Sequence, residues 1–109
     1  MPTTYKVLGQ SNPSATTATT LYTVPASTSA VVSTIAVCNQ TATSATFRIS
    51  IRPAGASQTA AMYLGYDITV GASDSTIITV GLTLATTDVI TVYASTATLS
   101  FQAFGSEIS

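Results

Sequence analysis

The side chains of this 109-residue chain that carry a charge or a thiol are Lys6, Cys38, Arg48, Arg52, Asp67, Asp74, Asp88 and Glu107, and histidine is absent. Without an imidazole, neither a Ser-His-Asp triad nor a Cys-His pair can be assembled, because the base that would take the nucleophile's proton is missing. Cys38 alone gives no intrachain disulfide and cannot supply the several thiolate or imidazole ligands of a structural zinc. It reads as a small buried hydrophobe. A glycosidase-like pair would need two carboxyls about 5 to 10 Å apart across a cleft. Asp74 and Asp88 stand instead beside Ser75 and Thr87 just ahead of apolar runs, where an aspartate ties down a turn by accepting from backbone N–H groups. No EF-hand or repeat calcium signature is present. The expectation is therefore no catalytic residue, no cofactor and no metal, in a protein that is not an enzyme.

Recognition is a better use for what remains. Arg48 and Arg52 share one face of a strand with Ser50 between them, a placement that suits solvated charges or pairing with a partner's carboxylates. Tyr63, Tyr66 and Tyr93 offer flat faces with hydroxyls, which suits stacking on sugars, although packing in a core or interface is the favoured use. Pro53, Ala54 and Gly55 open the longest candidate loop, from Pro53 to about Ala61. Arg48, Arg52, Pro53, Tyr63 and Tyr66 are the interface candidates.

The rest of the composition points the same way. Charged residues are 6% of the chain, against roughly 25% in an ordinary soluble domain, and about a third of the residues are serine or threonine. Hydroxyls hold water without charge, and threonine is β-branched. A net charge of −1 gives copies almost no mutual repulsion, so self-association is expected. Three cations are too few to neutralise a run of phosphates, which excludes nucleic acid as a partner. No apolar run approaches the roughly 18 residues of a membrane helix, and MPTTYKVLGQ has no secretory pattern, so no membrane is expected. Asn39, Gln40 and Thr41 match a glycosylation sequon but, with no export signal, read as a turn.

The elements that must position these residues are strands. β-Branched residues recur in short runs divided by Gly, Pro, Ser, Asn and Asp at intervals of roughly eight to twelve residues, and helical periodicity is missing. Eight strands are read, near Tyr5 to Leu8, Thr19 to Val24, Val31 to Asn39, Ala45 to Arg52, Met62 to Val70, Thr76 to Leu82, Val89 to Ala94 and Thr98 to Phe104. Phe47, Ile49 and Ile51 alternate with Arg48 and Arg52, which puts one face in a core. Leu99, Phe101 and Ala103 alternate likewise until Phe104 and Gly105 end the pattern. Val31 to Asn39 is apolar on both parities in places, as in a central strand covered on both faces, with Val31, Ile35 and Val37 in the core.

The fold class that follows is all-β, a single antiparallel sandwich of about eight strands, Ig-like or jelly-roll-like, spanning residues 1–109. Residues 1–20 are expected to form an N-terminal strand and an extended arm, the polar stretch Gln10 to Thr20. TVPASTSAVVST (Thr23 to Thr34) resembles TVGASDSTIITV (Thr69 to Val80), with a shorter echo in TVYASTATLSF (Thr91 to Phe101), so one hairpin-like connection is used repeatedly. Pro25 and Gly71 hold equivalent places in the two longer copies, so those turns are expected to differ in type.

The run LYTVPASTSAVVSTIAVCNQ, followed by TFRISIRPAGA, YLGYDITV, LATTDVITVYAS and the closing SFQAFGSE, resembles small virion structural proteins of tailed bacteriophages, those of cyanobacterial phages above all. The likeness covers Leu21 to Glu107, and its motifs are strands and turns. It implies a β-sandwich subunit present in many copies in the virion, made in the host cytoplasm and assembled into the particle. The expected role is a decoration or cement protein that clamps capsid subunits, with a tail, neck or baseplate component as the alternative. The expected partners are sister copies, a trimer favoured over a pentamer or hexamer, and the major capsid or tail protein. A display module that binds host-surface glycans is the reading from a different class.

Overall fold

A computed structural model of the chain describes residues 3–109, so Met1 and Pro2 of the expected N-terminal strand lie outside the described residues. Eight strands are present: β1 (Thr3–Ser11), β2 (Thr19–Thr23), β3 (Ser29–Asn39), β4 (Ala45–Arg52), β5 (Tyr63–Val70), β6 (Ser75–Leu84), β7 (Val89–Ala94) and β8 (Leu99–Ile108). They form a front sheet in the order β1-β8-β3-β6 and a back sheet in the order β2-β7-β4-β5. β1 pairs with β8, β2 with β7, β3 with β6 and β4 with β5, all antiparallel. The chain is thus one long hairpin whose successive pairs fall alternately in the two sheets. That is the eight-stranded jelly roll, the second of the two sandwich types expected.

The core lies between the sheets, centred on Phe47 of β4 and Phe101 of β8, whose rings meet edge to face at 5.9 Å. Both are fully buried, as are Ile35, Val37, Ile90, Val92 and Leu99. Offset aromatic pairs of this kind add roughly 0.5–1.5 kcal/mol beyond their burial.

Val31 is not in that core: it is 36% exposed, while Ala30 and Val32 are buried. The cause is a slip in register. Ser33 is an extra residue of β3 relative to β8, because Val32 faces Gly105 and Thr34 faces Phe104. Residues 30 and 32 therefore point inward before the bulge, and 35, 37 and 39 after it. A one-residue slip exchanges the faces of a strand, so the two-parity apolar pattern marks a phase change, with one face of β3 buried and the other open. Cys38 falls on the outer phase and is exposed, contrary to its expected burial. Matching slips occur at Leu8 in β1 and at Val80 and Gly81 in β6, so a line of bulges crosses the front sheet.

Two other boundaries differ from those expected. β8 runs on to Ile108, because residues 104–108 pair with β1 and β3 while leaving the covered part of the core, which blurs their alternation. Of the arm or loop expected over Gln10 to Thr20, the structure shows the end of β1 and a loop held against the sandwich. β1 reaches Ser11, Pro13 is buried, and the Asn12 amide donates to the Ala97 and Leu99 carbonyls at 3.2 and 2.7 Å.

The repeated turns share a conformation. Ser27 and Ser73, equivalent in the two longer copies, both take a left-handed φ, 56° and 51°, and Thr87 does the same at 67°. Pro25 and Gly71 precede that pair, so their difference does not make the turns differ at the left-handed residue. Asp74 and Asp88 act as the turn ties expected of them. Asp74 Oδ1 accepts from the Ser75 N–H at 2.8 Å and Asp88 Oδ2 from the Ala85 N–H at 2.9 Å. Asn39, 2% exposed, donates to the carbonyls of Thr43, Val70 and Gly71 and accepts from the Thr41 N–H, gathering the loops at one end of the sandwich.

The two long sides of the sandwich are built differently. Where β1 lies over β2, a Cβ at Gly9 would strike the Leu21 carbonyl, so the strands approach as closely as backbones allow. There the Tyr22 hydroxyl of β2 donates to Glu107 of β8 at 2.5 Å, and Lys6 of β1 holds the same carboxylate at 2.8 Å. Burial, and then donation to Glu107, push the Tyr22 phenol well above its ordinary 10.0, so it stays a proton donor. Lys6 and Tyr22 together hold the Glu107 carboxyl below its ordinary 4.5. Since the unfolded chain then takes up the proton first, this latch contributes fully above pH 4.5 and is lost as pH falls through the lower folded value. Glu107→Gln is expected to lower stability at neutral pH by about 1–2 kcal/mol and to flatten the loss of stability below pH 4.5, as urea titrations at several pH values would read.

Candidate functional site

The opposite long side, between β5 and β6, is open. A slot of about 280 Å³ enters between the sheets there, lined by Ile35, Ile49, Leu64, Ile68, Ile78 and Val80. Leu64 is 51% exposed and Ile68 37%, and Ile77, on the outer face of β6, is 68% exposed. β5 carries two register slips against β4, one at Tyr66 and Asp67 and one at Leu64. Asp67 supplies the left-handed residue, at φ 52°, a conformation aspartate tolerates better than most side chains. These bulges turn the edge strand and raise Tyr66 and Asp67 toward the outer face of the back sheet.

On that outer face the slip brings Asp67 to Arg48. Arg48 Nε lies 2.7 Å from Asp67 Oδ1 and Nη2 lies 3.3 Å from Oδ2, a two-point pair. The guanidinium also sits 4.1 Å from the centre of the Tyr66 ring and 4.5 Å from that of Tyr93, the geometry of cation–π attraction. Tyr63 meets Tyr66 edge to face at 4.9 Å. The hydrogen bond to Asp67 raises the Arg48 pKa above its ordinary value. A shallow groove of about 400 Å³ lies beside the rings, bounded by Gln58, Thr59, Ala60, Tyr63 and Tyr66.

Arg52 and Pro53 belong to a neighbouring cluster. Pro53 begins a short 3-10 turn, Pro53–Gly55, in which Ala54 takes φ 53°. Arg52 returns to hold that turn, with Nε 2.7 Å from the Ala56 carbonyl and Nη2 3.0 Å from that of Gly55. The Ala54 N–H donates to Asp88 Oδ1 at 2.9 Å. The loop then lies back over the sheet, where Ser50, 2% exposed, hydrogen-bonds Gln58 at 2.6 Å. As a result β7 is the strand buried on both faces: Ile90, Val92 and Ala94 point inward, while Val89 and Thr91 are covered from outside.

Of the interface candidates, Arg48, Tyr63 and Tyr66 come together with Tyr93 and Asp67, while Arg52 and Pro53 form the anchor of the covering loop. Both arginines are engaged within the chain, Arg48 with Asp67 and Arg52 with the loop carbonyls. Leu64, Ile68 and Ile77 were not among the candidates, nor were Tyr5, 83% exposed, and Val7, 48% exposed, which with Val31 and Phe104 border a second surface hollow of about 600 Å³ on the front sheet. The signal available for β6 was the adjacent pair Ile77 and Ile78, apolar on both parities of one strand. No protein-family model and no curated protein matches the chain.

Arg52→Ala is expected to release the Pro53–Met62 loop and to lower global stability by about 1–2 kcal/mol. Limited proteolysis with sequencing of the fragments should then show faster cleavage within residues 53–62 than in the wild type.

Proposed function

We propose that the chain is a non-enzymatic virion structural protein of the tailed-phage type its sequence resembles, present in many copies, that decorates or clamps capsid subunits. The observation that carries this reading is the number of large exposed hydrophobics in a chain with only seven charged side chains. Tyr5, Val7 and Val31 lie on the outer face of the front sheet, Leu64 and Ile68 at the mouth of the slot, Ile77 on the outer face of β6 and Tyr66 on the outer face of the back sheet beside Arg48. Large exposed apolar surface is the usual mark of contact with another macromolecule.

The fate of the charged side chains supports the same reading. Lys6 is paired with Glu107 and Arg48 with Asp67, Arg52 holds loop carbonyls, and Asp74 and Asp88 tie turns. Groups of the kind that would perform chemistry are committed to holding the domain in shape. Eight-stranded jelly rolls recur in viral shells, and the same architecture serves lectins, so the fold adds weight without choosing between them. The groove beside Tyr63 and Tyr66, with Gln58 and Thr59 as polar walls, favours glycan binding as the second reading.

The two readings separate in one set of measurements. As cement, the protein should be found in stoichiometric copies on intact capsids. Particles lacking it should lose resistance to heat or osmotic shock, and adding back the purified protein should restore it. Particles equally robust with and without it overturn the clamp role. Binding of the isolated protein to a glycan array, lost in Tyr66→Ala, would establish the second reading.

A further inference from the structure

We propose that β6 is a self-association edge, at which two copies of this chain join antiparallel about a two-fold axis and close the apolar slot between their sheets. The inference rests on the assembly reading above and names the surface through which it acts.

β6 is ten residues long and pairs on one side only, with β3. Its other side offers a row of unpaired N–H and C=O groups, which proteins that must stay monomeric guard with lysine, proline, a bulge or a covering segment; of these β6 carries only the bulge at Val80 and Gly81. Residues 75–84 contain none of the chain's charged residues and no proline. β6 is also the rim of the slot, so a strand added to this edge covers Ile78 and Val80, and Leu64 and Ile68 of both copies meet beneath the joined strands.

The order of residues in β6 selects a second copy as the occupant. With Thr79 facing Thr79 across a two-fold axis, Ile78 faces Val80 and Thr76 faces Leu82 on the inner side. On the outer side, Ile77 faces Gly81. Gly81 lies in the register slip of β6, with φ outside the left-handed region, and a Cβ there would meet nothing within 4 Å, so the space over it is open. A strand glycine serves a bulge and also leaves room for a close neighbour, and in this register the partner's Ile77, the most exposed isoleucine of the chain, is placed to lie over it.

The size is adequate. Ten antiparallel residues span about 34 Å, and two sheets about 10 Å apart with their side chains give a depth of roughly 20 Å. The strip is then on the order of 600–700 Å² per copy, against the roughly 800 Å² each partner contributes to a standard interface. With no charged residue on β6, no like-charge repulsion opposes the contact.

The test is a charge exchange across the proposed axis, read by sedimentation equilibrium on the full chain. The wild type should be a dimer. Ile77→Lys with Gly81→Lys places like charges opposite each other twice and should weaken association on the order of tenfold or more at low salt. Ile77→Lys with Gly81→Glu pairs opposite charges in the same register and should recover the dimer relative to the double lysine. Both positions are exposed, so thermal melts should show both variants folded. A monomeric wild type, an oligomer of any order indifferent to both variants, or equal weakening by both would overturn the inference. The virion reading stands or falls separately, on whether the protein occupies particles.

Discussion

The Tyr22 hydroxyl, the Glu107 carboxylate and the Lys6 ammonium form the contact on which the shape of this domain depends, because they join the two sheets along one side only. A sandwich of two four-stranded sheets has two long sides at which its layers end. Closing both would bury the core completely. Here one side is drawn together by that latch and by the backbone approach at Gly9, and the twist of each sheet then spreads the other. The slot beside β5 and β6 is the geometric consequence of closing β1 onto β2 in a molecule with only eight strands.

Register slips carry that geometry through the sheets. Bulges at Leu8, Ser33 and Val80 to Gly81 lie in one line across the front sheet, each adding local twist. In the back sheet the slips of β5 turn its edge, lift Asp67 to Arg48 and leave Leu64 and Ile68 at the mouth of the slot. The polar cluster and the apolar opening are therefore two results of one irregular edge strand.

Much of this architecture was legible in the sequence. The β-branched runs placed all eight strands, and the alternation of Phe47, Ile49 and Ile51 against Arg48 and Arg52 oriented β4. What pattern could not show was phase. A bulge leaves no residue type of its own, so Val31 read as core when the slip at Ser33 had exchanged the faces, and Cys38 read as buried because β3 was expected to be covered on both sides. The candidate site was half legible for a related reason. Composition singled out Arg48, Arg52, Tyr63 and Tyr66 because charges and aromatics are scarce here. Their partners depended on the bulge at Asp67 and on the turn at Pro53, which are tertiary facts. Leu64 was invisible as a surface residue, since hydrophobicity alone reads as burial, and Ile77 showed only as half of the adjacent apolar pair in β6.

The commitment of every charge to an internal contact has one more physical result. Two ion pairs take up four of the seven charged side chains, and with a net charge of −1 the protein presents a weak long-range field. Encounter with a partner is then unsteered, in the regime of about 10⁵–10⁶ M⁻¹s⁻¹ rather than the faster electrostatic one. Selectivity must come from short range, from strand edges that find register and apolar side chains that find cover. An uncharged surface of hydroxyls suits that task, because it keeps the free domain hydrated at little cost to the docked one.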